Sequence, residues 1–184
     1  YTLGDADVGT NIRVVVSYTD GQGTAESLTS ATVGPVTNVN DAPTGAPVVT
    51  GTPTEDQVLG VNTASIADAD GLGTFSYQWQ RNGSNIVGAT GSTYTLGDAD
   101  VGMQISVSVT YTDAGGAAEG PLTSAPTAAV ANVGDAPVIG GSNSGAVSED
   151  GVLAASGGLT ITDPDADQSR FQPRNEVTGA YGSF

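Results

Sequence analysis

Three residue types are missing altogether: cysteine, histidine and lysine. Without cysteine there is no disulfide, no thiolate metal site and no cysteine nucleophile. Without histidine the usual general base and the commonest transition-metal ligand are gone. Without lysine there is neither Schiff-base chemistry nor a Lys–Asn isopeptide staple. Positive charge is scarce too, confined to Arg13, Arg81, Arg170 and Arg174. No apolar run approaches the roughly 20 residues of a membrane-spanning helix, so direct membrane insertion is not expected.

Negative charge is abundant. Twenty acids against four arginines give a formal charge of −16, which repels nucleic acid and anionic membranes and excludes both as partners. Acidity with few aromatics can also mark disorder. Here Val and Ile alternate in strand-like runs with Gly at turn positions, which argues for folded β-structure.

The chain repeats itself. YTLGDADVG occupies residues 1–9 and again 94–102, and each copy continues into an alternating strand and Tyr-Thr-Asp. A second repeat lies in Asn38-Val39-Asn40-Asp41-Ala42-Pro43 and Asn132-Val133-Gly134-Asp135-Ala136-Pro137. A period of 93 residues is about the size of one β-sandwich domain. The polar, proline-closed junctions set the expected boundaries. Residues 1–37 read as the late half of one unit, 38–133 as a complete unit, and 134–184 as the early part of a different β-domain. The whole reads as a piece of a longer array, with neighbouring units end to end.

Within the first part, YTL is expected as a short strand, GDADVG as a corner, and Ile12 to Tyr18 as a strand with one apolar face. A weaker strand ends near Val36. Its sheet edges would be exposed unless something pairs with them. In the complete unit, strands are expected from Val48, from Val58 through Ile66, and over FSYQWQ, whose Phe75, Tyr77 and Trp79 share a face. Asn82-Gly83 forms a hairpin turn, read as more than the glycosylation sequon it also matches. Further strands are expected around Ile86-Val87, Tyr94–Leu96, Ile105–Tyr111 and Thr127–Val130.

The acids gather at turns and junctions, often in pairs: Asp5/Asp7, Glu55/Asp56, Asp68/Asp70, Asp98/Asp100, Glu149/Asp150 and the triple Asp163/Asp165/Asp167. Like charges held a few ångströms apart oppose one another, and four arginines cannot neutralise them all. A hard divalent cation with oxygen ligands, Ca²⁺, would remove the conflict. The alternative is structural, because Asp side chains hydrogen-bond backbone N–H groups in turns. For Asp5/Asp7 and Asp98/Asp100 the two readings stand level. Asp163–Asp167 is not an EF-hand, since Gln168 and Arg174 stand where Gly and Glu are required.

Leu96-Gly97-Asp98-Ala99-Asp100, then a strand and Tyr111-Thr112-Asp113, resembles the cadherin pattern L-D-x-E, strand, A-x-D. Asn38-x-Asn40-Asp41-x-Pro43 is similar to the cadherin linker, and Asp68-Ala69-Asp70 to its D-x-D. Glu55 in PTEDQ stands near the place of that family's early glutamate. The YQWQRNG…YTLGDADVG unit resembles Ig-like repeats of large bacterial RTX-type adhesins, and the final segment resembles a VCBS repeat. The resemblance implies an all-β chain of tandem Ig-like/cadherin-like antiparallel β-sandwiches joined end to end, with Ca²⁺ at the junctions. By position it implies one ligand group of Asp5, Asp7, Asn38, Asn40, Asp41, Asp68, Asp70 and Asp113. A second comprises Glu55, Asp98, Asp100, Asn132, Asp135, Asp163, Asp165 and Asp167.

Paired carboxylates also occur in glycosidases. That chemistry needs a cleft with aromatics, whereas Trp79 alternates into a strand core and the acids fall in turns expected to be exposed. The chain is therefore expected not to be an enzyme. The function implied is a secreted, cell-surface extender whose partners are neighbouring repeats of the same polypeptide. Two alternatives stay open: a calcium-dependent module binding surface glycans or another cell surface, and a filament subunit whose split half-domains complete one another between chains.

Overall fold

The computed structural model describes residues 1–142, 157–165, 168–171, 178–179 and 182–183. It is all-β, with antiparallel pairing in every sheet. The complete unit holds seven strands: β3 (Val48–Thr50), β4 (Val58–Asn62), β5 (Ser76–Arg81), β6 (Ser84–Asn85), β7 (Thr93–Thr95), β8 (Ile105–Thr112) and β9 (Ala118–Thr123). They form a three-stranded sheet in the order β3-β4-β7 and a four-stranded sheet in the order β6-β5-β8-β9.

Alternation decides what lies between the sheets. On β8, Ile105, Val107, Val109 and Tyr111 are buried, as is Trp79 of β5, directly opposite Val107. Leu59 of β4, Ile66, Leu96 and Val130 join the same core. Burying each such side chain contributes roughly 1.5–3 kcal/mol. The Trp79 indole N–H donates to the Gly91 carbonyl at 2.9 Å, so its one polar atom is satisfied. Phe75 meets Tyr111 edge to face, with ring centres 5.3 Å apart.

Before β8 the chain turns through a short 3₁₀ segment, Asp98–Asp100. The buried Asp100 carboxylate organises this corner. It accepts from the Tyr94 hydroxyl at 2.9 Å, the Gly97 amide at 3.1 Å and Arg81 Nε at 2.7 Å. The first copy, Asp5–Asp7, has the same shape: Asp7 accepts from the Tyr1 hydroxyl at 2.7 Å and the Gly4 amide at 3.0 Å. In that part the chain forms β1 (Val15–Thr19) and β2 (Ala25–Thr29), a two-stranded antiparallel pair. Beyond the second junction, β10 (Val138–Gly141) pairs with β11 (Leu159–Thr162), and β12 (Thr178–Gly179) with β13 (Gly182–Ser183).

Several expected strands are shorter or absent. Tyr1–Leu3 is not a strand, β4 stops at Asn62 rather than reaching Ile66, and Ile86-Val87 lies past β6 with Val87 fully exposed. Thr127–Val130 contributes one bridge, Val130 to Val101, in place of a ladder. Ile86 still donates its amide to the Trp79 carbonyl and Thr127 to the Ile105 carbonyl, both at 2.9 Å, so these two stretches run beside β5 and β8 without continuing a regular ladder.

Candidate metal centres

Among the described residues two groups of carboxylates converge, one at each junction. Near the first, oxygens of Asp68, Asp113 and Glu119 lie within 4.8 Å of one another. Asp68 comes from the loop before β5, Asp113 from the end of β8, and Glu119 from β9. The junction itself reaches in. Asn40 Nδ2 donates to Glu119 Oε1 at 2.7 Å, and the Asp41 amide donates to Asp70 Oδ2 at 2.7 Å. Asn38 also lies here, since a methyl group on Gly115 would stand 2.8 Å from its Nδ2 and 3.3 Å from Asp113 Oδ1.

Near the second junction, oxygens of Glu55, Asp135 and Asp165 lie within 4.8 Å of one another. The Val133 amide donates to Glu55 Oε2 at 3.0 Å. Asp165 accepts from Asn132 Nδ2 at 2.8 Å and from the Asp135 amide at 2.7 Å. The two junctions share a local pattern. The second Asp of the D-x-D pair donates its amide to the first, Asp70 to Asp68 at 2.9 Å and Asp165 to Asp163 at 3.0 Å. That same residue then receives the amide of the junction aspartate. The structure thus pairs Asp41/Asp68/Asp70 with Asp135/Asp163/Asp165, although the segments around them differ in sequence.

Electrostatic strain follows. The Val133 amide is the largest influence on Glu55 and favours its charged form. Burial, a hydrogen bond with Asp98 and the charges of Asp98 and Asp135 outweigh it and raise the carboxyl above its ordinary range. Asp135 is raised by burial and then by Asp98, Asp165, Asp56 and Asp163. At the first centre, burial pushes the Tyr111 hydroxyl up. Its hydrogen bond to Asp68 and the negative field of Asp68, Glu119 and Asp113 add to this.

No family model, curated protein or solved structure matches this chain. The site is therefore read from its own atoms. Asp113 is 5% exposed. Its Oδ1 accepts from the Ala117 amide at 2.7 Å, while its Oδ2 is buried with no hydrogen-bond partner. A buried anionic oxygen without a partner is unfavourable by several kcal/mol unless a cation meets it. The groups around Asp113 are the carboxylates of Asp68 and Glu119, oxygen ligands of the kind suited to a hard ion such as Ca²⁺. The residues present fit that ion.

Of the remaining sequence-derived candidates, Asp98 joins the second centre beside Glu55, and Asp5 lines a groove with Asp41. Asp7 and Asp100 belong to the corners, where their oxygens serve tyrosine, glycine amide and arginine. Asp167 lies outside the described residues, as do Glu149 and Asp150. The expectation that the acids occupy exposed turns holds for some of them and not for others: Asp5, Asp41, Asp56 and Asp98 are exposed, whereas Glu55, Asp100, Asp113, Glu119 and Asp165 are buried. Asp100 lies in the 3₁₀ corner, Asp113 at the turn that closes β8, and Glu119 faces inward from β9 opposite the buried Tyr111. Glu119 escaped the reading of turn pairs because it sits inside a strand. Its signal was periodic, since Glu26 precedes it by 93 residues, as Asp20 precedes Asp113.

Proposed function

We propose that this chain is a non-enzymatic extender, built of tandem Ig-like/cadherin-like β-sandwiches of a large bacterial surface adhesin or matrix protein and stiffened by Ca²⁺ at its junctions. The observation that carries the reading is that Asp113, whose buried Oδ2 has no hydrogen-bond partner, belongs to a group of carboxylates that also engages the linker. Asp68, Asp113 and Glu119 would hold an ion at the first junction, with Asp70 and the Asn38–Asp41 stretch beside them. Glu55, Asp98, Asp135, Asp163 and Asp165 would do so at the second. Among the described residues the one ion pair is Arg81–Asp100, so a bound ion supplies the positive charge that these carboxylates lack.

The chain's own contribution is to gather carboxylates beside the linker, from one unit at the first junction (Asp68, Asp113 and Glu119) and from both flanking units at the second (Glu55 and Asp165). An ion bound there favours the assembled junction over the bent or frayed one by mass action, about 2.7 kcal/mol at a hundredfold excess over Kd. The test is calorimetric titration of the chain with CaCl₂, with scattering under the same conditions. Saturable binding that falls in Asp41→Ala and Asp68→Ala, with a greater maximum dimension in calcium than in chelator, is the expected result. Identical dimensions in both conditions would count against it.

A further inference from the structure

Each junction sets a side-chain amide against a buried carboxylate. At the first, Asn40 Nδ2 donates to Glu119 Oε1 at 2.7 Å. At the second, Asn132 Nδ2 donates to Asp165 Oδ1 at 2.8 Å. Both acceptors are buried, and each belongs to the group of three acids at its junction. The two asparagines do not hold the same place in the repeated junction. Aligned on Asp41 and Asp135, Asn132 corresponds to Asn38, and Asn40 corresponds to Gly134. The backbone seat is shared, since the amides of Asp41 and Asp135 donate to Asp70 and Asp165 at 2.7 Å. The side-chain contact does not follow from the repeat alone: two different positions deliver it.

An asparagine side chain has two faces, a donor at Nδ2 and an acceptor at Oδ1. Against a carboxylate the inward atom must be Nδ2. A cation in the same place repels that N–H and attracts Oδ1, an oxygen of the class that Ca²⁺ takes. Half a turn about Cβ–Cγ exchanges the two. An aspartate could serve the ion, but in its absence would repel Glu119 or Asp165.

We infer that Asn40 and Asn132 are positioning residues of the two junction centres. Without an ion their Nδ2 groups stand in for the cation and hold the linker on Glu119 and Asp165; an arriving cation turns them, exchanging Nδ2 for Oδ1. The turn rests on the proposed calcium binding, whereas the metal-free contact stands without it. A neutral amide leaves the negative charge in place, and Asp113 Oδ2 keeps no partner. The linker is therefore seated while the junction still demands a cation.

The test follows solvent exchange of side-chain amides in the ¹⁵N-labelled full chain by NMR, in chelator and then through a CaCl₂ titration. In chelator, one Nδ2 proton of Asn40 and one of Asn132 should exchange more slowly than those of Asn85, whose Oδ1 accepts from Gln80. At saturating calcium that protection should disappear. Variants separate the two faces. Asn40→Asp keeps the oxygen and loses the donor, so its unfolding midpoint in chelator should fall by roughly 4–8 °C while its calcium Kd stays unchanged or tightens. Asn40→Ala loses both, and should show the same fall with about tenfold weaker binding. Junction amides that exchange as fast as Asn85 in chelator overturn the proposal even where calcium binds normally. Protection that persists at saturating calcium overturns the turn, as does an Asn40→Asp chain that binds as weakly as Asn40→Ala. Protection in chelator without any saturable calcium binding overturns the turn together with the proposed calcium centres.

Discussion

One oxygen of Asp113 has a structural task and the other has none. Oδ1 closes the turn to Ala117, Oδ2 is buried without a partner, and the carboxylate belongs to the group it forms with Asp68 and Glu119. Asp113→Asn keeps the shape and the acceptor while removing the charge. In chelator this variant should be as stable as the native chain or more so, because an unpaired buried charge is gone. In calcium it should lose about 1–3 kcal/mol of stabilisation, equivalent to at least about tenfold weaker binding. Thermal unfolding in the two conditions checks this, and an equal loss in both would mean that the carboxylate serves only the turn. The residue scale is also where the sequence was least legible. The D-x-D pairs announced themselves by spacing, yet whether such a pair serves a corner or a junction depends on what faces it. Asp98 and Asp100 stand two residues apart. One turns out toward Glu55, and the other turns in to Tyr94 and Arg81.

At the scale of elements, the two copies differ by one residue, and the structure shows where it goes. In the first copy β1 and β2 pair in regular register, with Tyr18 opposite Glu26 and Val16 opposite Leu28. In the second, Tyr111 faces Glu119 and Val109 faces Leu122, with a register shift between them. Gly120 and Pro121 form a bulge that absorbs the extra residue and keeps Glu119 and Leu122 both facing inward. Gly120 adopts φ +94, and a Cβ there would lie 2.7 Å from the Val109 carbonyl oxygen. Gly120→Ala should therefore destabilise the unit by roughly 1–3 kcal/mol. Ser27→Ala at the regular position of the first copy should stay within about 0.5 kcal/mol. Chemical denaturation of both variants measures the difference. Strands with strict alternation, β5 and β8, could be read from sequence because each buries one face against the opposite sheet. Apolar residues such as Ile86-Val87 and Thr127–Val130 could not be placed, since a ladder depends on a neighbour that local pattern does not reveal.

Across the whole molecule the balance of charge sets how the junctions respond to acid. Glu55 is raised because burial, Asp98 and Asp135 together outweigh the favourable Val133 amide, and Asp135 is raised by burial and four neighbouring acids. A carboxyl raised on folding prefers its protonated form in the folded state. Its favourable contribution is present below the ordinary carboxylate values of 4.5 and 3.8 and disappears as pH rises through the raised value. The metal-free chain should thus gain stability when acidified from neutral pH, helped by relief of its net charge of −16. The calcium-loaded chain should behave in the opposite sense, because protons compete with the ion for the same oxygens and stability falls as the ion leaves. Midpoints of thermal unfolding in chelator and in calcium, followed from pH 7 to about 4.5, should converge from opposite directions. Parallel curves would mean that the buried acids at the junctions tolerate their charge without a cation, and the molecule would then have no electrostatic reason to be stiffer in calcium.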